Sequence, residues 1–417
     1  MTSRCNRFLR IAVWWSSVLS TIAAGGDLFA QGPPYRDTGP RTAAPRGTHL
    51  PPQFQTRTLN TGEPVPRQYV VFVPEHYDKA KAWPVILFLH GSGECGYNDR
   101  RSATVGLGPY IRLHRLQDFP FITLFPQVSE MWFRGRNEQW VWQMLDAVTR
   151  EFHVNPDRIY LTGMSMGGFG AWDLAMRRPD VFAAVVPICG GAAEPDLLAN
   201  LRGLPFWVFH GAQDDRVPVT NSRLLVEALE KDGQDPKYTE FPELGHFCWD
   251  RVFAMDELYT WLLSHKRRPQ PTEFTYKLPM QNLSLPWRVW WFQFDQIDGG
   301  TNDIGMSTRL DEGNVLKLLT SGVRRATLVG SQLPILREDD LSVVWNGRRR
   351  FVGKVQGDLV LRRKKDAPDP AASQAGALAP PKRIGPMQER LRGNAGKEAG
   401  KSEGGADSSA SAPTGRQ

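Results

Sequence analysis

The chain has 417 residues, 41% hydrophobic and 23% charged, a balance that excludes disorder throughout and supplies enough apolar material for a sizeable core. Its length exceeds one ordinary domain, so one large domain with appendages is expected. The formal charge of +7 is dispersed, apart from short clusters at 348–350 and 362–365, which argues against a nucleic-acid partner.

Arg4, Arg7 and Arg10 precede a largely apolar run from Ile11 to Ala24, then small residues, with a cut predicted after Ala30. Residues 1–30 are thus expected to be a signal peptide and the protein to be exported, periplasmic or extracellular. Ser16, Ser17, Ser20 and Thr21 interrupt the run, which is short for a spanning helix. An uncleaved anchor is the weaker reading, and no stable membrane span is expected after cleavage. Removing the leader takes Cys5 with it and leaves Cys95, Cys189 and Cys248, so at most one internal disulfide is available.

Residues 31–52 are rich in Pro, Gly, Arg and Thr without apolar period and read as a linker. From 53 to 268 short apolar runs alternate with helical patterns. Val85 to His90, Phe121 to Phe125, Arg158 to Thr162, Ala183 to Ile188 and Pro205 to His210 read as strands, and their near-continuous apolar character suits a parallel sheet covered on both faces. Glu138 to Phe152, Gly168 to Arg177, Val219 to Lys231 and Ala254 to His265 carry apolar residues three and four apart and read as helices. The expected fold is α/β, a doubly wound and mostly parallel sheet whose ligand crevice lies beyond the carboxyl ends of the strands. After Pro271 the pattern turns β-rich, with Phe274 to Leu278, Trp287 to Ile297 and a hairpin across Asn346-Gly347, so 270–364 reads as a small accessory β domain. Residues 365–417 hold few large apolar groups and read as a disordered tail.

Arg158 to Thr162 runs into Gly163-Met164-Ser165-Met166-Gly167 and then into a helical pattern, the strand–turn–helix context that a GxSxG motif needs. Such a turn exposes the serine hydroxyl above the sheet, and Ser165 is the candidate nucleophile. A serine hydroxyl needs a base within hydrogen-bond reach and an acid to orient that base. His210-Gly211-Ala212-Gln213-Asp214-Asp215 follows a buried strand and offers Asp214 as the acid, with Asp215 as the alternative. Gly245-His246-Phe247-Cys248 offers His246 as the base, in the chain order Ser, Asp, His expected of an α/β-hydrolase. His90 and His210 close apolar strands and read as structural hydrogen-bonding residues. Acyl transfer also requires donors for an oxyanion; the backbone amide of Met166 and that of Ser92, in His90-Gly91-Ser92-Gly93-Glu94, are the candidates.

Leu89 to Glu94, Tyr160 to Gly168, Pro187-Ile188-Cys189-Gly190-Gly191 and Trp207 to Gly211 resemble the esterase branch of the α/β-hydrolases. That branch comprises phospholipase/carboxylesterase, polyhydroxybutyrate depolymerase-like, feruloyl-esterase-like and predicted-peptidase proteins, and the resemblance covers about 55–265. It implies no cofactor and ester hydrolysis through an acyl-enzyme, with Ser165, Asp214 and His246 at the triad positions; a decorated polysaccharide, a polyester and a small metabolite all remain open as the ester substrate. Cys95 departs from the pattern, standing where many relatives carry a basic residue.

No CxxC or HExxH spacing points to a metal. Trp132, Phe133, Trp140 and Trp142 read as core packing before substrate wall, and Trp287, Trp290, Trp291 and Phe292 as sandwich core before carbohydrate platform. Two rivals remain: a prolyl-oligopeptidase-like peptidase using the same triad, and a decayed hydrolase whose β domain binds carbohydrate.

Overall fold

The structure, a computed structural model, describes residues 50–60, 66–96, 100–132, 137–267, 270–280, 283–299, 303–335 and 339–363. The expected signal peptide, nearly all of the linker, the tail and Phe133 lie outside these residues.

The strands β1 (Phe54–Leu59), β2 (Arg67–Phe72), β3 (Trp83–Leu89), β4 (Ile122–Phe125), β5 (Val154–Met164), β6 (Ala184–Ile188), β7 (Trp207–Gly211) and β8 (Lys237–Phe241) form one sheet. Their order is β1-β2-β4-β3-β5-β6-β7-β8. β1 and β2 are antiparallel, β2 meets β4 antiparallel, and from β4 to β8 every pairing is parallel. The helices are α1 (Leu107–His114), α2 (Asn137–Glu151), α3 (Met166–Arg177), α4 (Thr220–Lys231), α5 (Trp249–Phe253) and α6 (Asp256–Ser264).

Successive strand side chains point to opposite faces, so strands covered on both faces feed two cores. Leu87, Leu89, Leu161, Val185 and Val208 meet α2, α3 and α4 through Val141, Met144, Trp172 and Leu225. Their neighbours Ile86, Phe88, Tyr160, Val186 and Phe209 meet α1 and α6 through Leu107, Ile111, Leu258 and Leu262 on the other face. This is the doubly wound α/β sheet expected from the apolar runs. No helix among the described residues is long and apolar enough to cross a membrane.

The segment read as a helix from Ala254 to His265 is α6, and the short helix α5 precedes it. α5 ends at Phe253, and Met255 is extended at φ −83°, ψ 109° before α6. Asp256 and Glu257 open α6, where carboxylates favour the positive end of the helix dipole, so the charge pattern marks a start inside the apparent helix.

Nine further strands among the described residues form two packed sheets: β9 (Glu273–Lys277), β10 (Trp287–Val289), β11 (Phe292–Ile297), β12 (Gly305–Asp311), β13 (Val315–Ser321), β14 (Val323–Leu328), β15 (Leu341–Trp345), β16 (Arg348–Gly353) and β17 (Leu359–Arg362). One sheet runs β10-β11-β14-β17 and the other β16-β15-β13-β12-β9. Trp287 to Ile297 is a tight hairpin, turning where Trp290 adopts φ 46°. Trp290, Trp291 and Phe292 are buried in the core between the sheets with Tyr276, Phe294 and Trp345. The Asn346-Gly347 hairpin has φ of 48° and 74° at its two turn residues, the left-handed pair a type I′ turn requires.

The β unit docks on the far end of α3. Tyr276 Oη donates to Arg177 O at 2.6 Å. Asn200 and Lys277 exchange two bonds, side-chain amide to carbonyl at 2.8 Å and backbone amide to Oδ1 at 2.7 Å. α3 has 12 residues and starts beside Ser165, so at 1.5 Å per residue this contact lies roughly 18 Å along the helix from the candidate nucleophile.

Candidate active site

Ser165 joins β5 to α3 with φ 54° and ψ −119°, a conformation that costs a non-glycine residue on the order of 1–3 kcal/mol and is held only by its surroundings. Its amide donates to Ile188 O at 2.9 Å and its carbonyl accepts from Phe169 N at 3.1 Å, tying the turn to β6 and to α3. Glycines allow the approach. A Cβ on Gly163 would stand 2.2 Å from Gly167 O, and one on Gly167 would stand 2.0 Å from Leu89 O.

Three side chains meet in line above the strand ends. His246 Nε2 is 2.9 Å from Ser165 Oγ, and His246 Nδ1 is 2.7 Å from Asp214 Oδ2. The Asp214 side chain is wholly enclosed, and its Oδ1 accepts the amides of Arg216 at 2.9 Å and Val217 at 2.8 Å. Burial pushes the Asp214 carboxyl up, but hydrogen bonds from His210, His246 and the two amides outweigh it and hold its pKa below the usual carboxylate range. Asp215, the alternative acid, is exposed.

The loop after β3 passes beside the candidate nucleophile. A Cβ on Gly91 would lie 3.7 Å from Ser165 Cβ, so the Gly91 backbone runs close to the Ser165 side chain, and Met166 is the first residue of α3. First-turn amides have no acceptor within their own helix and point at what lies before it. His90 braces the loop: Nδ1 donates to Gly91 O at 2.7 Å and Nε2 accepts the Val128 amide at 3.2 Å. Burial lowers its pKa to about 4, so it stays neutral as those bonds require. Trp132, fully buried, donates from Nε1 to His90 O at 3.0 Å. It packs on α3, where a Cβ on Gly170 would meet its ring at 2.7 Å. Trp140 is likewise buried and Trp142 partly so. These tryptophans pack in or against the core.

His210, read from sequence as a strand-end structural residue, contacts the same carboxylate: Nε2 is 3.1 Å from Asp214 Oδ2. The only sequence signal for this was the four-residue spacing of His210 and Asp214 across a glycine turn.

Cys189 and Cys248 are buried free thiols with Sγ atoms 3.0 Å apart, while Cys95 lies apart, 3.9 Å from Met166 Sδ. Cys189, His210 and Asp214 also bring one ligand-type atom each within 4.8 Å of one another. All three atoms already have partners, and a cation there would draw Asp214 away from His246. Phe247, beside the histidine, is 61% exposed, with the Arg216 guanidinium 4.7 Å from its ring centroid.

The dienelactone hydrolase family pattern matches residues 65–251, a span containing Ser165, Asp214 and His246. Over 190 residues the chain is 24% identical to a protein named probable feruloyl esterase C from Aspergillus niger, a match covering 45% of this chain and 69% of that one. Residues 65–251 belong to the esterase branch of the α/β-hydrolases. A protein of Arthroderma benhamiae named as an uncharacterized secreted protein is 26% identical over 252 residues, covering 50% of this α/β-hydrolase and 26% of the relative. The chain thus spans about a quarter of the length of that relative. A solved structure titled a thermostable esterase matches with a TM-score of 0.48 and 29% identity, over 52% of this chain and 64% of that one.

Proposed function

We propose that this α/β-hydrolase is an exported serine esterase that cleaves carboxylic esters through an acyl-enzyme on Ser165. The observation that carries the reading is the unbroken line from Ser165 Oγ through His246 to Asp214, at 2.9 and 2.7 Å. His246 Nε2 takes the Ser165 proton as Oγ attacks the ester carbonyl, while Asp214 holds Nδ1–H and stabilises the imidazolium that forms. The tetrahedral oxyanion is received by the amides of Ser92 and Met166, each such donor lowering the barrier by ~3 kcal/mol. His246 then returns the proton to the departing alcohol, and a water, deprotonated by the same nitrogen, releases the acid and restores Ser165.

The substrate class this reading favours is an ester on a decorated polysaccharide, or a polyester, outside the cell. A relative from Neocallimastix patriciarum named as a bifunctional acetylxylan esterase/xylanase, 31% identical over 100 residues, supports the first. In this reading residues 1–30 are a cleaved leader, 31–52 a linker, 53–268 the catalytic domain, 270–364 an accessory domain and 365–417 a tail. The β unit's docking roughly 18 Å along α3 from Ser165 and its buried tryptophans favour a bracing role for it over a carbohydrate platform.

Purified protein assayed on nitrophenyl acetate, a feruloylated arabinoside and blocked dipeptide amides tests the proposal. Ester turnover that Ser165→Ala abolishes is expected. Peptide cleavage with inert esters would move the activity to the peptidase class, and equal slow turnover by wild type and Ser165→Ala would remove it from the enzymes.

A further inference from the structure

His210 has no part in the acyl-transfer steps, yet it shares an atom with them. Its ring is fully buried at the end of β7, and Nε2 stands 3.1 Å from Asp214 Oδ2, the oxygen that meets His246 Nδ1 at 2.7 Å. Nε2 also lies 3.0 Å from Val217 O, which only accepts, so this nitrogen carries a proton. Nδ1 is 2.7 Å from Oγ of Ser222, a buried residue of α4, whose hydroxyl donates to it in the neutral ring. Five side chains are therefore joined in sequence: Ser222, His210, Asp214, His246, Ser165.

We propose that His210 is a positioning residue of the hydrolytic site, its Nε2–H fixing the Asp214 oxygen to which His246 is tied and thereby setting the orientation and basicity of His246. The inference rests on the triad reading. Each carboxylate oxygen presents two lone-pair directions. The amides of Arg216 and Val217 occupy those of Oδ1, His246 takes one on Oδ2, and the His210 Nε2–H, shared with Val217 O, faces the other at 3.1 Å. With all four filled, the carboxylate cannot turn about its bond to the chain, and the direction in which it holds the His246 ring is fixed.

The second donor also weakens the first. His210 and His246 draw on the charge of one oxygen, so each contact with it is weaker than it would be alone. Removing the His210 donor lets the full carboxylate field act on His246, and the imidazole then protonates at higher pH. The titratable groups facing His210 are Asp214 on its own loop, His246 beyond it, Cys189 at the end of β6 and Glu240 on β8. Cys189 is held protonated mainly by its bond to Cys248 and by burial, and Glu240 is held at about 2 by Arg223, so neither changes charge across pH 5–9.

The test compares His210→Leu, which fills the space without a donor, with His210→Gln, whose amide can both donate toward Asp214 and accept from Ser222. Both are assayed on a nitrophenyl ester across pH 5–9. His210→Leu is expected to lower kcat by about tenfold or more, far short of the ~10⁴-fold that follows losing the acid's orienting role, with KM within about twofold. The acidic limb of kcat/KM should move to higher pH by about half a unit or more, and His210→Gln should restore most of both effects. If His210→Leu does not fold, Ser222→Ala, which frees the ring from its far side, should move kcat and the limb in the same directions by less. Wild-type kcat and limb in His210→Leu, or in Ser222→Ala where that variant stands in for it, overturn the proposal. So do equal losses in the Leu and Gln variants with an unmoved limb, the pattern of a merely structural residue. A wild type that a fluorophosphonate does not label at Ser165 overturns the triad reading instead, so the two failures are distinguishable.

Discussion

The nucleophile turn depends on three backbones touching, and Gly167→Ala tests that dependence. A Cβ at Gly167 would stand 2.0 Å from Leu89 O, 2.6 Å from Leu89 C and 2.7 Å from His90 O. All three are backbone atoms, at the end of β3 and the start of the loop beside Ser165. No side chain can rotate away, so strand and turn must separate by about 1 Å or more. Overpacking of this kind costs ~1–3 kcal/mol, or a fall in Tm of roughly 3–10 °C for a unit of this size. A shift of that order in reacting groups typically costs ~100-fold in rate. Gly93→Ala is the matched control in the same loop, because a Cβ there meets nothing within 4 Å. The rate of fluorophosphonate labelling and the melting temperature are the two readouts. Gly167→Ala should label ~100-fold more slowly and melt lower, while Gly93→Ala should stay within about threefold in rate with an unchanged Tm. Wild-type labelling and Tm in Gly167→Ala, or equal damage in both variants, would refute the steric account of the turn.

Other consequences follow from the same packing. The folded His90 has its pKa lowered to about 4, below the ~6.5 of the unfolded chain, so its contribution is fully present above pH 6.5 and lost as pH falls toward 4. Urea unfolding at pH 4.5 and 7 should show a stability difference larger in wild type than in His90→Gln by roughly 2–3 kcal/mol, and equal differences would contradict this. Trp132→Ala empties a fully buried site and strips the partner from His90 O, at a cost of about 3–5 kcal/mol and a Tm lower by about 6 °C or more. Burial raises the Cys95 thiol to about 11, so iodoacetamide at pH 8 should alkylate it about a hundredfold more slowly in the native protein than after unfolding, as followed by mass spectrometry.

The strands legible in the sequence are those buried on both faces. β3, β4, β6 and β7 are short runs of Val, Ile, Leu and Phe, and a parallel sheet needs that pattern. β1 and β8 are half-buried and carry Arg, Lys, Thr and Glu among their apolar residues, so period alone did not separate them from loop. α1 escaped notice because Gly108 and Pro109 stand in its first turn, residues that ordinarily mark breaks; Pro is tolerated there, and a Cβ at Gly108 would strike Ala103 O at 2.1 Å.

The meeting of Ser165 with His246 was legible because turn chemistry fixes where a candidate nucleophile and base can stand along the chain. The choice between Asp214 and Asp215 was not, since adjacent residues differ only in the direction their side chains leave a turn. Only Asp214 has its carboxylate bound by the Arg216 and Val217 amides and turned to His246. The contact of His210 with Asp214 was invisible for a related reason. A histidine closing a strand before glycine looks the same whether its ring meets the core or a carboxylate across the turn. The meeting of Cys189 with Cys248 depends on how β6 approaches the loop after His246, which no spacing encodes.

The central claim is that Ser165 is a nucleophile activated by His246 and Asp214. Covalent labelling of the purified protein by a fluorophosphonate, with the modified peptide identified by mass spectrometry, tests it most directly. One label per chain on Ser165, absent in Ser165→Ala and slowed ~10³-fold or more in His246→Ala and Asp214→Asn, is the predicted result. Labelling at another residue, or at Ser165 with undiminished rate in His246→Ala, would contradict it.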